Sequence, residues 1–157
     1  MSITVRRADR EELERVNELR KMVNEIHVNG RPDVFRPGFC DELRQHVYEK
    51  YDADNSDVLV VILDDAICGF AIVEYIERLQ SPYNNARKFY HIEEFGVDES
   101  ARRKGIASAL IDFMKEDALR RGYKKIELDM WEFNDGALSF YENVGFRTYR
   151  RCMDMDL

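Results

Sequence analysis

The chain is poor in the residues that would commit it to several classes of function. It holds three cysteines, Cys40, Cys68 and Cys152, scattered, odd in number and without any CxxC or Cys/His spacing. That excludes a fully paired disulfide framework and a zinc-ribbon type of site, and no metal is expected. Reduced thiols in a cytoplasmic protein are the expectation. Three prolines, and the absence of repeats, low-complexity tracts or Pro/Gly/Ser-rich linkers, predict one domain over residues 1–157. Long apolar runs are missing too. The longest, Val58 to Leu63, has strand length, well short of the ~18 residues of a membrane span. The opening MSITVRRADREE carries no apolar signal core, so neither export nor membrane association is expected. Positive charge is also in deficit: 24 Lys and Arg against 31 Asp and Glu leave a net −7. That argues against general nucleic-acid binding and is compatible with a cationic partner. Neither GxxxxGK[ST] nor GxGxxG occurs, so the known nucleotide loops are absent.

What is present is a globular chain with 45% hydrophobic residues, long enough at 157 residues to bury a core. ITVRR (3–7) reads as a strand. Asp9 followed three residues later by Glu12 is a capping-box-like start to a helix whose face is Leu13, Val16, Leu19, Val23 and Ile26, with Gly30 as its stop. GRPDVFRPG (30–38) cannot be regular structure. Phe39, Leu43, Val47 and Tyr51 predict a second helix. VLVVIL (58–63) and ICGFAIVEYIE (67–77) predict a hairpin, and KFYHIEEFGV (88–97) a third long strand. Ile106 to Leu119 is an amphipathic helix ending at Gly122. KKIELDMW (124–131) is a strand, DGALSFYENVG (135–145) a short helix, and FRTYRRCMDMDL (146–157) a final strand. The order β-α-α-β-β-β-α-β-α-β predicts an α/β (α+β) fold, with a mixed, mainly antiparallel central sheet and helices on both faces.

One stretch, VDESARRKGIASALIDF (97–113), places Arg102, Arg103 and Lys104 where a helix begins, the end at which cations oppose the helix dipole. A strand running into a helix through a glycine-bearing loop is a common phosphate site, because free N–H groups at the helix start point outward. Gly105 permits close backbone approach, and small Ala107 leaves room beside it. Read alone, the stretch is equally a solvated basic turn before an amphipathic helix.

FGVDESARRKGIASALI resembles the central motif of the GNAT superfamily of acyl-CoA-dependent N-acetyltransferases: a strand ending in Val, a short loop, then Arg-x-x-Gly-x-Ala opening a helix. NDGALSFYENVGF (134–146) is similar to that superfamily's second signature, at fitting distance from the first. Ala107 stands where glycine is commoner. The resemblance implies acetyl-CoA as cosubstrate. Its pyrophosphate would lie on the backbone of Arg102, Arg103, Lys104, Gly105, Ile106 and Ala107, and its pantetheine arm along the strand edge Phe95, Gly96 and Val97. Gly96 would suit the bulge that opens that edge. Asn134 would meet the pantetheine side and Tyr141 would sit near the thioester sulfur.

Acyl transfer to an amine needs a base for the ammonium, donors for an oxyanion and a proton for the leaving thiolate. Tyr141 is the candidate acid, against the alternative of a packed aromatic beside Phe140. The candidate bases are, in order, Glu93, Glu94 and Asp129, each also readable as a solvated or salt-bridged carboxylate. Strand alternation lets only one of Glu93 and Glu94 face a given cleft unless a bulge intervenes. His91 shares the face of Glu93. His27 and His46 have no partners at ligand spacing. Phe35 and Trp131 are candidate walls of an acceptor pocket. The carboxylates Glu93, Glu94, Asp129 and Glu132 suggest a small cationic amine such as a polyamine as acceptor. A peptide or protein amine, or a non-catalytic acyl-CoA-binding module, is the alternative. A homodimer is a prior only.

Overall fold

The computed structural model describes residues 2–157. β1 (Ile3–Arg7), β2 (Ser56–Leu63), β3 (Ala66–Arg78) and β4 (Arg87–Val97) pair antiparallel in that order, and β5 (Ile126–Leu128) adds parallel to β4. The sheet is therefore mixed and mainly antiparallel, as expected. α1 (Leu13–Gly30) and α2 (Asp41–Asp52) cover one face, where Leu13, Val16, Leu19 and Val47 pack on Val58, Val60, Phe70 and Ile72. α3 (Ile106–Arg120) covers the other, packing Ile106, Leu110, Ile111 and Met114 on Leu59, Val61, Ala71, Val73 and Ile92. Both faces of β2 are buried, which is why VLVVIL reads as a continuous apolar run rather than an alternation. α4 (Asp135–Asn143) follows β5. The Asp9/Glu12 capping box forms, but it opens a 3-10 turn at Arg10–Glu12 that leads into α1. No described helix is long and apolar enough to cross a membrane.

Four expectations are corrected. Residues 146–157 form no strand: Met153 and Met155 are 93% and 82% exposed, and the segment has no sheet neighbour. Its alternation of Met and Asp shows a strand-compatible pattern, but β5 beside it is only three residues long and offers little edge to extend. β5 is correspondingly shorter than 124–131, and α2 starts at Asp41, leaving Phe39 outside the helix.

The fourth correction concerns the bulge. In the β3–β4 ladder Ile72 pairs with Glu94 and Val73 with Ile92, so the extra residue is Glu93, not Gly96. Gly96 matters for packing instead. A Cβ there would lie 2.7 Å from Val23 Cγ2 and 2.8 Å from Phe70 Cε1, so its bareness lets α1 settle on β4. The β4–β5 ladder runs from Tyr90–Ile126 to Ile92–Leu128 and stops. Past Ile92 the two strands part, and the edge of β4 from Glu93 to Val97 is left open.

Candidate active site

The parting of β4 and β5 creates a cleft of about 830 Å³. Phe95, Gly96 and Val97 line it along the open edge. Arg102 and Ala107 also line it, as do Asn134 and Tyr141 from α4 and the turn before it.

The loop between β4 and α3 is held from below. Asp98 accepts the Ser100 N–H at 3.1 Å, and Arg15 of α1 donates to Asp98 Oδ2 at 2.7 Å and to the Ile67 carbonyl. Arg103 (φ +64°) and Gly105 (φ +78°) both adopt the left-handed region. For the arginine this costs on the order of 1 kcal/mol, a strain typical of functional loops. The first bond into α3 runs from Ala109 N–H to the Gly105 carbonyl, 3.0 Å, leaving the amides ahead of it without helical acceptors. A Cβ at Gly105 would meet nothing within 4 Å, so a ligand can approach the backbone there. Arg102, Arg103 and Lys104 are exposed and make no ion pair among the described residues. Ile106 sends its side chain into the core, so only its backbone is available to a ligand.

Tyr141 packs among Phe95, Phe140 and Phe146, ring centroids 5.5–6.1 Å away. Burial pushes its phenol up to about 12. Asn134 uses its side-chain oxygen to cap α4, accepting the Ala137 N–H at 3.1 Å.

The bulge decides the geometry of the carboxylates. Because Glu93 is the extra residue, Glu93 and Glu94 lie on the same face, toward α1 and α2, and both line the cleft. Their partners differ. Glu94 gives both oxygens to Arg20, at 2.9 and 3.1 Å, and the Arg20 side chain is only 4% exposed. Asn17 and the Leu43 carbonyl hold the rest of that guanidinium. Glu93 gives Oε1 to His46 Nε2 at 2.5 Å. Its Oε2 is buried without a hydrogen-bond partner, with Lys50 Nζ 3.4 Å away. Burial works to raise the Glu93 carboxyl, but the bond to His46 and the charges of His46 and Lys50 outweigh it and hold it below its ordinary value. His46 is raised in turn, first by that hydrogen bond. Asp129 lines the cleft but is 83% exposed, 3.8 Å from both His91 and Arg150. His91 is tied to Glu74, at 2.8 Å. Ligand atoms of His46, Glu93 and Glu94 lie within 4.8 Å of one another. Arg20 and Lys50 already supply the opposing charge, and we assign no metal there.

The segment after α1 closes the mouth. Phe35 meets Trp131 edge-to-face at 5.2 Å, His27 meets Phe35 at 5.0 Å and Phe133 at 6.2 Å, and Arg31 lies over Trp131. Glu132 is exposed and does not line the cleft. Sequence reasoning missed Arg20, His27, Phe39 and His46. Arg20 left a signal: a charge four residues after Val16 and three before Val23 sits on the apolar face of its helix.

A mixed sheet that parts beside a cationic helix start, with one cleft joining that start to carboxylates and a tyrosine, defines the N-acyltransferase class of fold. A mutant of the BH1408 protein from Bacillus halodurans shares it with a TM-score of 0.93 and 27% identity, covering 98% of this chain and 99% of that one. The chain belongs to the Acetyltransferase (GNAT) family, which it matches over residues 20–146. It is 30% identical over 125 residues to an L-ornithine N5-acetyltransferase of Arabidopsis thaliana, covering 76% of this chain and 54% of that protein. It is 40% identical over 67 residues to a glucosamine 6-phosphate N-acetyltransferase of Trypanosoma brucei brucei, covering 43% of this chain and 44% of that protein. The chain thus spans about half the length of these curated relatives.

Proposed function

We propose that the protein transfers the acetyl group of acetyl-CoA to the primary amine of a small cationic molecule by direct attack. The observation that carries this reading is Glu93 Oε2, a buried carboxylate oxygen with no hydrogen-bond partner on a residue that lines the same cleft as Tyr141 and Arg102. The loop fits a pyrophosphate: unbonded amides, an uncrowded glycine and three unpaired cations. When bound there, acetyl-CoA supplies the activated acyl group. Glu93 accepts the proton that an ammonium must lose to regain its lone pair, directly or through a water. The open edge Phe95–Val97 offers backbone N–H groups to the oxyanion. Tyr141, raised to about 12, stays protonated at neutral pH. A thiol near ~8.5 is the stronger acid, so Tyr141 acts chiefly by donating a hydrogen bond to the developing thiolate. Asn134, occupied as a helix cap, meets the pantetheine side with its remaining atoms.

The case for a cationic acceptor is narrower than four carboxylates suggest. Glu93 and Glu94 are matched by Arg20, His46 and Lys50, and Glu132 stands outside. The most weakly matched is Asp129, with His91 and Arg150 no closer than 3.8 Å, and the faces of Phe35 and Trp131, one of them already met by Arg31, suit an aliphatic cation. The roof formed by residues 27–38 favours a small acceptor over a peptide. The relatives' named substrates, ornithine and glucosamine 6-phosphate, are small amines. Thiol release from acetyl-CoA, measured across polyamines, diamino acids, amino sugars and peptides, tests the proposal. Turnover is expected with the small cationic amines. Turnover of peptides alone would make the acceptor a protein amine, and CoA binding with no turnover at all would make the chain a sensor.

A further inference from the structure

His46 is one helix removed from the chemistry: it belongs to α2 and does not line the cleft, yet it holds one oxygen of the base. We propose that His46 is the positioning residue of Glu93, and that the charge on its imidazole switches the strength of that base. This deepens the acetyl-transfer reading and rests on it.

The geometry has two parts. Glu93 Oε1 is engaged at 2.5 Å by His46 Nε2, which fixes the carboxylate plane, while Oε2 has no hydrogen-bond partner among the described residues and lies 3.4 Å from Lys50 Nζ. The groups facing His46 are few. β4 supplies Glu93 and, at 3.7 Å, Glu94; α1 supplies Arg20, which is committed to Glu94; on α2 itself Lys50 lies beside Glu93 and reaches on to Glu74 of β3. Burial works to lower Lys50, but Glu74 and Glu93 hold it above its ordinary value, and it stays charged through the neutral range. His46 is the member of the group whose ordinary value, 6.5, lies near neutrality, and its surroundings move it upward. Below that transition the imidazolium stabilises the Glu93 anion and makes it a poor proton acceptor. Above it, neutral His46 still donates Nε2–H to Oε1 but withdraws its charge, and Glu93 becomes more basic. Lys50, 3.4 Å from Oε2, supplies a constant charge beside this variable one.

The reaction balances simply: the N–H bond of the acceptor ammonium breaks, its proton goes to the Glu93 carboxylate, and His46 keeps the proton on Nε2 throughout. Two readouts separate this inference from the reading beneath it. The first is the NMR titration of His46 in the free protein, which needs no turnover. Its midpoint should lie above 6.5 and fall in Glu93→Gln; an ordinary midpoint unmoved by Glu93→Gln overturns the inference whether or not the protein proves to be an enzyme. The second is the pH profile of kcat/KM for an active amine. In the wild type an extra rise of roughly three- to tenfold should accompany the His46 midpoint, above the rise due to the amine itself. His46→Gln, which keeps an N–H donor without a titrating charge, should remove that rise and leave CoA affinity unchanged. A His46→Gln profile parallel to the wild type would overturn the inference while leaving acetyl transfer standing.

Discussion

Glu93 and Glu94 are the same side chain in consecutive positions, and their surroundings give them opposite roles. Glu94 is locked by both oxygens to Arg20, a guanidinium buried to 4% exposure, whereas one oxygen of Glu93 has no hydrogen-bond partner among the described residues and only Lys50 at 3.4 Å. Two substitutions should therefore separate chemistry from stability. Glu93→Gln should lower kcat/KM by ~10²–10⁴, the range of a lost general base, with the fold intact. Glu94→Gln should leave a buried arginine short of its counter-charge and cost on the order of 2–4 kcal/mol in chemical denaturation. A stable but inactive Glu94→Gln, with an active Glu93→Gln, would reverse the assignment. At this scale the residue types were legible in HIEEFGV, but the division of labour was not. It depends on Arg20 and His46, which lie 74 and 47 positions away in the chain.

Elements carry the proposed acceptor end of the cleft. Gly30 reads in the sequence as a helix stop, and α1 does end there, but its position is fixed by a neighbour far along the chain. A Cβ on Gly30 would lie 2.2 Å from Phe133 Cε1. Phe133 touches His27, His27 touches Phe35, and Phe35 touches Trp131, so pushing Phe133 aside disturbs the whole aromatic wall. Gly30→Ala should cost about 1–3 kcal/mol from overpacking. It should also raise the acceptor KM on the order of tenfold while CoA affinity stays put, as expected when positioning and not chemistry is lost. Steady-state kinetics with each substrate varied in turn would show it; a rise in the KM for acetyl-CoA instead would detach Phe133 from the acceptor side. The same scale explains the missing last strand. A period of two in residues 153–157 announces a chain able to pair, but pairing needs an edge, and β5 is too short to give one.

For the whole molecule, the order of elements and the two-faced sheet were legible because burial on both faces leaves long apolar runs and the hairpin turns interrupt them. What pairs with what across the charged layer was not. That layer makes stability depend on pH. Glu12, Glu74, Glu93 and Asp98 are held below their ordinary values, Glu12 by Arg6, Glu74 by Lys50 and His91 against the burial that would raise it, and Asp98 by Arg15. Their contribution is present above the unfolded glutamate value of 4.5 and is lost as pH falls through the folded values. His46 is raised, so its contribution is complete below 6.5 and is lost as pH rises through its folded value. Thermal unfolding followed by circular dichroism should therefore give the highest Tm between about 4.5 and 6.5, a steep acid fall and a shallow alkaline one. The alkaline decline should vanish in His46→Gln. A Tm still climbing above pH 7 would contradict the His46–Glu93 pairing.

The inserted residue in β4 changes the phase of the strand. On the α3 side the buried or half-buried apolar residues are Tyr90, Ile92, Phe95 and Val97, at intervals of two, three and two instead of a steady two. On the opposite side the same slip sets two carboxylates next to each other where a regular strand would hold one. The wall proposed to perform the chemistry is thus a dislocation in an otherwise periodic ladder. Its mark can be read without coordinates: an apolar strand rhythm that skips one beat, with adjacent acids in the gap.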